Sequence, residues 1–115
     1  MWLHTLFWRR VRVRDLKAAF GLALKQLRMR AELAQNDFPP EVSREYVSLL
    51  ERGLRAPTLE TIDSLAKVMG ISPLALVVQC YMWREPDRSL EELMDEAGLQ
   101  VRRDLIEPPP KSTKD

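Results

Sequence analysis

The sequence predicts an all-α fold: a compact bundle of about five short helices with an N-terminal arm and a short C-terminal helix. Two observations lead to this prediction. Apolar residues recur with helical spacing in successive stretches after residue 14, and capping residues or isolated glycines separate those stretches. A parallel-sheet pattern is absent, and the 115 residues are enough for one domain.

The N-terminal arm spans residues 1–14 and has two parts. The first part is rich in large apolar side chains: Trp2, Leu3, Leu6, Phe7 and Trp8. The second part alternates arginine with valine, which favours an extended strand. Such a strand would pair with its own copy in a dimer, and the alternative is a flexible tail. Because its arginines follow the apolar residues, the arm is a poor signal peptide.

The first helix is expected to run from about Asp15, its N-cap, to Ala31, with one apolar stripe along its length. The next stretch, residues 33–42, has room for only a short helical turn. Pro39 and Pro40 end that turn, because proline lacks the N–H donor and biases its predecessor away from helical geometry.

A short helix is predicted between the N-cap Ser43 and Gly53, a favoured residue just past a helix end. Tyr46, Val47 and Leu50 share one face of this helix, which we expect to be buried. The opposite face is polar and consists of Arg44, Glu45, Ser48, Leu49 and Arg52.

Two further helices are predicted, the first capped by Thr58 and ended by Gly70, the second capped by Ser72 and running to about Met82. The second is nearly all apolar, so we expect it at the centre of the core. Its Cys80 is the one cysteine, and a buried, unreactive thiol is the simplest interpretation.

A capping box opens the short acidic C-terminal helix at Ser89, and Gly98 is expected to end it. The segment 108–115 is rich in proline and polar residues, which predicts a disordered tail. The predicted organisation is thus the arm, a domain over residues 15–83, a C-terminal extension over residues 84–107 and the tail.

The residue inventory argues against an enzyme. His4 is the only histidine and lies in the arm, so neither a catalytic triad nor a histidine metal site can form. The four glycines are isolated, so no phosphate-binding loop exists. We therefore expect no cofactor and no metal. A membrane partner is also excluded, because the apolar stretch that begins at Ile71 is interrupted by Ser72, Pro73 and Gln79.

Charge and geometry favour a nucleic acid. Residues 1–57 have a net charge of +5 and residues 58–115 a net charge of −4, which indicates a polyanion partner for the basic half. A helix with a small apolar face and outward Arg44, Glu45 and Ser48 suits the DNA major groove, where such groups distinguish bases. Gln35, Arg52 and Arg55 suit phosphate contacts. A solvated helix face has the same pattern.

Three stretches of sequence closely resemble the Xre family, the helix-turn-helix domains similar to Cro and the lambda repressor. They are Leu33-Ala-Gln, Val42-Ser-Arg-Glu-Tyr-Val-Ser-Leu-Leu-Glu-Arg-Gly53, and Pro57-Thr-Leu-Glu-Thr-Ile with Leu65-Ala-Lys-Val-Met-Gly-Ile-Ser-Pro. The resemblance covers about residues 16–78 and includes the pair Leu27-Arg28 on the first helix.

The resemblance implies five helices, of which the second and third form the DNA-reading unit. It implies that Gln35 begins the second helix and touches the DNA backbone together with Ser43, Arg52 and Arg55. Base contacts would come from Arg44, Glu45, Ser48 and Leu49. The resemblance also implies an ion pair between Arg28 and Glu51, whereas a solvated charge is the plain alternative for Arg28.

The sequence departs from the family in one place. The usual second helix is longer, with an alanine packed inward and a glycine in the turn. Here Phe38-Pro-Pro-Glu takes that place and is two residues shorter, and we expect Phe38 to replace a buried leucine. The departure affects the docking angle, and hence which of Arg44, Glu45 and Leu49 reaches a base.

The function that we expect is a cytoplasmic, sequence-specific regulator of transcription, a repressor, that binds double-stranded DNA as a homodimer. The dimer surface would be either the arm (Trp2, Phe7, Trp8) or the C-terminal part (Val78, Tyr81, Trp83, Leu90, Leu93, Met94). Alternatively, those residues complete the monomer core. The alternative is that the protein is a protein-interaction module, such as an antitoxin or an adaptor, that binds a protein partner through the arm.

Overall fold

The computed structural model describes residues 15–106, with side chains for residues 15–102. This part of the chain contains five helices and no strand, which confirms the all-α prediction. The helices are α1 (Leu16–Arg30), α2 (Arg44–Glu51), α3 (Leu59–Met69), α4 (Pro73–Arg84) and α5 (Leu90–Ile106). The predicted arm, with its strand and its dimer residues Trp2, Phe7 and Trp8, and the predicted tail lie outside the described residues.

The helices begin at the polar residues that the sequence marks as caps. The hydroxyl of Ser43 accepts a hydrogen bond from the backbone N–H of Tyr46 at 3.1 Å, and Asp15, Thr58 and Ser72 cap their helices in the same way. Ser89 and Glu92 form the reciprocal capping box, with bonds of 2.8 and 3.0 Å. Each cap satisfies a backbone donor that the first helical turn leaves without a partner.

The family's second helix is absent, so the expectation that Gln35 begins a helix is wrong. Residues 31–43 form turns instead. The Asp37 carboxylate accepts from the N–H of Ala34 at 2.7 Å, and the N–H of Asp37 donates to the carbonyl of Ala34 at 3.1 Å. This closed turn, followed by Pro39 and Pro40, leaves too few residues for a helix.

The C-terminal helix is longer than predicted, because Gly98 does not end it and α5 continues to Ile106. A glycine inside a helix costs only about 1 kcal/mol relative to alanine. The strong start at Ser89 and the helix-compatible residues on both sides outweigh that cost. Gly70, in contrast, has φ 71°, the left-handed conformation that does end a helix.

The core forms where α1 packs against α4 and against the end of α2. Its fully buried side chains include Leu24, Leu50, Leu65 and Leu76. Phe38 is buried in the same cluster, in line with its expected role as the replacement for a leucine. Helix α4 is less buried than its nearly all-apolar sequence predicts, since only Leu76 and Cys80 of that helix are buried.

Trp83 belongs to the monomer rather than to a free surface. It packs against the core, and its indole N–H donates to the side-chain oxygen of Gln26 on α1 at 2.9 Å. The Gln79 amide donates to the same oxygen at 3.0 Å. These bonds hold one side of α4 against α1, and the opposite side of α4 faces α5.

The Cys80 thiol should resist chemical modification while the protein is folded. Burial raises its pKa to about 11, against a smaller opposite effect of the Arg84 charge. At pH 8 we expect alkylation to be about 100-fold slower in the folded protein than in the chain unfolded by denaturant, because only the thiolate reacts. Iodoacetamide labelling followed by mass spectrometry measures both rates.

The same pKa predicts the direction of a pH effect on stability. The folded state keeps the thiol proton to a higher pH than the unfolded state does, so the free energy of unfolding should fall between pH 9 and 11. A Cys80→Ala variant is the control and should lack this part of the decline. Equal labelling rates in the folded and unfolded chains would contradict the buried placement.

Candidate nucleic-acid interface

Helix α2 has one face fixed in the core and one face in solvent. Val47 and Leu50 are fully buried, and Val42 just before the helix is buried beside them. Arg44 and Glu45 are exposed on the other side, and Ser48 and Leu49 are half-buried. The buried stripe holds the helix rigidly, so its outer face is a preformed surface.

Six of the predicted site residues line one open depression on this outer face: Gln35, Arg44, Glu45, Ser48, Leu49 and Arg52. The depression has a volume of about 400 Å³. It joins the exposed turns of α2 to the segment that precedes the helix. The structure thus brings together residues that are up to 17 positions apart in the chain.

Of the eight residues predicted to contact DNA, the other two lie outside this depression. Ser43 is exposed, but its hydroxyl already caps α2 through the bond to Tyr46. Arg55 is exposed in the loop that connects α2 to α3. Both residues lie beside an end of α2 and not on its outer face.

Arg52 is held in place by its own helix. Its Nε–H lies 3.3 Å from the carbonyl oxygen of Ser48 and 3.2 Å from the Ser48 hydroxyl oxygen. The guanidinium therefore lies along α2 over the turn that contains Ser48. An arginine has five N–H donors in a fixed plane, so four remain on its two terminal nitrogens for an anionic ligand.

A largely buried network joins α1, the segment before α2 and the end of α2. Arg28 Nε donates to Glu51 Oε2 at 2.6 Å, and Arg28 Nη2 donates to Glu51 Oε1 at 3.0 Å. The third Arg28 nitrogen donates to the Leu33 carbonyl at 2.8 Å. The side chains are 11% and 5% exposed, and the hydrogen bond to Glu51 raises the pKa of Arg28 above its ordinary value.

Gln35 has a partner that the sequence did not indicate. Its amide N–H donates to Glu51 Oε1 at 3.0 Å, so Glu51 accepts from both Arg28 and Gln35. The amide oxygen and the second amide hydrogen remain as polar groups at the edge of the depression. The sequence shows that both side chains can form hydrogen bonds, but it does not show that they meet. The turns that bring Gln35 to Glu51 have no periodic pattern from which the contact could be predicted.

The charges at this surface favour an anion without being uniformly positive. Arg44, Arg52 and Arg55 are exposed, whereas the charge of Arg28 is compensated by Glu51. Glu45 is the one carboxylate that lines the depression. This surface therefore differs from a simple phosphate-binding patch. The Glu45 carboxylate accepts hydrogen bonds, so its partner must be a donor, which an ionised phosphate is not.

Comparison with known proteins matches this region. A helix-turn-helix family model matches residues 41–76, which span α2, α3 and the start of α4. An uncharacterized HTH-type transcriptional regulator, y4dJ, of Sinorhizobium fredii is 35% identical over 65 residues, which are 55% of this chain and 84% of that protein. The chain belongs to the Xre family of helix-turn-helix transcriptional regulators.

A second relative comes from another bacterium. The control protein C.BamHI of Bacillus amyloliquefaciens is 29% identical to this Xre-family chain over 66 residues, 55% of this chain and 82% of that protein. No solved structure matches the chain significantly. In this Xre-family member, the first helix of the motif is reduced to the turns of residues 31–43.

Two further observations concern the described residues alone. Within residues 15–102, no group of three or more His, Cys, Asp and Glu side chains is arranged to hold a metal ion. Between residues 15 and 106, no single helix has the length and hydropathy to cross a bilayer, and α3 with α4 reaches them only as a pair bent by 105°.

Proposed function

We propose that the protein is a repressor that binds an operator in double-stranded DNA as a homodimer, with α2 in the major groove. One observation carries this proposal: the outer face of α2 presents Arg44, Glu45, Ser48 and Leu49 together, while the inner face is anchored in the core. A major groove about 12 Å wide admits one helix with its side chains. In this proposal the protein acts in the cytoplasm.

The chemistry of the outer face suggests a division of roles. Arg44 would donate two hydrogen bonds to a guanine edge, and Glu45 would accept from a cytosine amino group. Ser48 and Leu49 would contact the neighbouring base edges. Backbone contacts would come from four residues around the helix: Gln35, Ser43, Arg52 and Arg55. Such contacts position a protein on DNA without reading sequence.

A homodimer fits the small size of this reading surface. Helix α2 has eight residues and covers only a few base pairs, so two copies on half-sites about 34–36 Å apart would supply affinity and specificity. In this proposal residues 15–83 form the DNA-binding domain and residues 84–107 form the dimerisation extension. Leu90 on α5 is an exposed apolar residue, as that role requires.

Substitution of the two arginines should separate reading from positioning. Arg44→Ala should reduce the preference for the operator over other sequences by about 1–3 kcal/mol. Arg52→Ala should weaken binding about equally on all sequences and lower the salt dependence by about one ion. Fluorescence anisotropy at several salt concentrations measures both effects, on an operator obtained by selection from random duplexes.

The control is Lys67→Ala, which removes an exposed positive charge on α3 that does not line the depression. This variant should bind like the unmodified protein. The proposal fails if neither arginine variant changes binding, or if all three variants weaken it equally. Binding to a protein partner without any salt-dependent DNA binding would instead favour an antitoxin or an adaptor.

A further inference from the structure

An open apolar groove lies between α4 and α5, on the side of α4 that faces away from α1. Its apolar lining includes Leu74, Val77, Val78, Tyr81, Leu93 and Met94, and its volume is about 980 Å³. Two of these residues are exposed to solvent: Leu74 is 59% exposed and Met94 is 43% exposed. Apolar surface of this extent in water is unfavourable by roughly 25 cal/mol per Å², so a covering group would be stabilising.

We propose that the N-terminal arm of the same chain, residues 1–14, binds in this groove. The arm has the matching chemistry at its start, where Trp2, Leu3, Leu6, Phe7 and Trp8 are clustered in the sequence. Aromatic side chains bury large apolar areas and keep little conformational freedom to lose. This inference is independent of the proposed DNA contacts, because no residue of the depression on α2 lines the groove.

The arm begins close enough to reach the groove. The backbone oxygen of Leu16, at the start of α1, lies 4.0 Å from the sulfur of Cys80 on α4. Val77 and Tyr81 of the groove are within one helical turn of Cys80. The groove is therefore only one helix width away, about 10–12 Å. Residues 9–15 can span roughly 23 Å when extended, which leaves the aromatic residues free to enter.

The charges on α5 beside the groove are compatible with a basic arm. The arm contains Arg9, Arg10, Arg12 and Arg14 and no acidic residue. Helix α5 is acidic at Glu91, Glu92, Asp95 and Glu96. Of these, Glu96 lines the groove, where it pairs with Arg88 at 2.6 Å.

Attachment to the same chain adds a concentration advantage. A segment joined by a short flexible linker has an effective concentration in the millimolar range at a nearby site. A second copy at micromolar concentration competes poorly with it. The same-chain arm is therefore the occupant that size, chemistry and connectivity favour together.

Limited proteolysis of the full chain tests this proposal. Trypsin cleaves after Arg9, Arg10, Arg12 and Arg14, and an arm held in the groove should be cut slowly. Met94→Asn disturbs the groove lining and should accelerate cleavage within the arm by about tenfold, because cleavage follows the population of the released arm. Met29→Asn is the matched control, since Met29 is 59% exposed on α1 and does not line the groove.

A variant in the arm itself guards against a folding defect of Met94→Asn. Trp8→Ser leaves the groove intact and should accelerate cleavage of the arm to a similar extent, with an unchanged circular dichroism spectrum. The proposal is overturned if the unmodified arm is cut as fast as a synthetic peptide of residues 1–14, or if neither variant changes the rate. Protection that increases with protein concentration would assign the groove to a second copy and also overturn it.

Discussion

Replacing Arg28 with methionine should lower the free energy of unfolding by about 3–5 kcal/mol. The substitution keeps most of the side-chain volume but leaves the Glu51 carboxylate, 5% exposed, with Gln35 as its one remaining donor among the described contacts. The Leu33 carbonyl loses its donor as well. Urea unfolding followed by circular dichroism measures the loss.

The double variant Arg28→Met with Glu51→Leu is the informative comparison. Removing both charges removes the uncompensated carboxylate, and apolar replacements of buried ion pairs are often neutral. We expect the free energy of unfolding of the double variant to be within about 2 kcal/mol of that of the unmodified protein. Its loss of stability should therefore be much smaller than the sum of the two single losses. Strictly additive losses would show that the pair is not coupled and would contradict the buried network.

The position of Glu51 explains why the pair matters for α2. Glu51 is the last residue of the helix, where the helix dipole disfavours a negative charge. The bidentate contact with Arg28 compensates that charge and attaches the end of α2 to α1. This contact orients the outer face of α2, and loss of the pair should loosen the reading surface together with the fold.

The sequence predicted most of the helices because local signals mark them. Ser43, Thr58 and Ser72 are capping residues in the structure as well as in the pattern. The apolar spacing placed Val47 and Leu50 on the buried side of α2. These features depend on residues within one or two helical turns, so they are visible without knowledge of the rest of the chain.

Features that depend on distant residues were not predictable in the same way. The contact of Gln35 with Glu51 arises from turns whose geometry follows from local hydrogen bonds such as that of Asp37 with Ala34. The family resemblance suggested a helix there, and two prolines prevented it. The open groove between α4 and α5 was hidden too, because an all-apolar helix predicts burial without showing which side is covered.

Replacing Gly21 with alanine should lower the free energy of unfolding by about 2–3 kcal/mol, although alanine favours helices by about 1 kcal/mol. A Cβ atom at Gly21 would lie 2.5 Å from the backbone oxygens of both Leu50 and Glu51. Backbone atoms cannot turn aside as a flexible side chain can, so α1 and the end of α2 must separate. Thermal and urea unfolding measure the effect.

Gly98→Ala is the matched control, because Gly98 is also inside a helix but has no atom within 4 Å of an added Cβ. That variant should gain about 0.5–1 kcal/mol from helix propensity alone. If both alanine variants gained stability, the close approach of α1 to α2 would be contradicted. Separation at Gly21 also displaces Glu51 from Arg28, so Gly21→Ala combined with Arg28→Met should cost less than the sum of their separate losses.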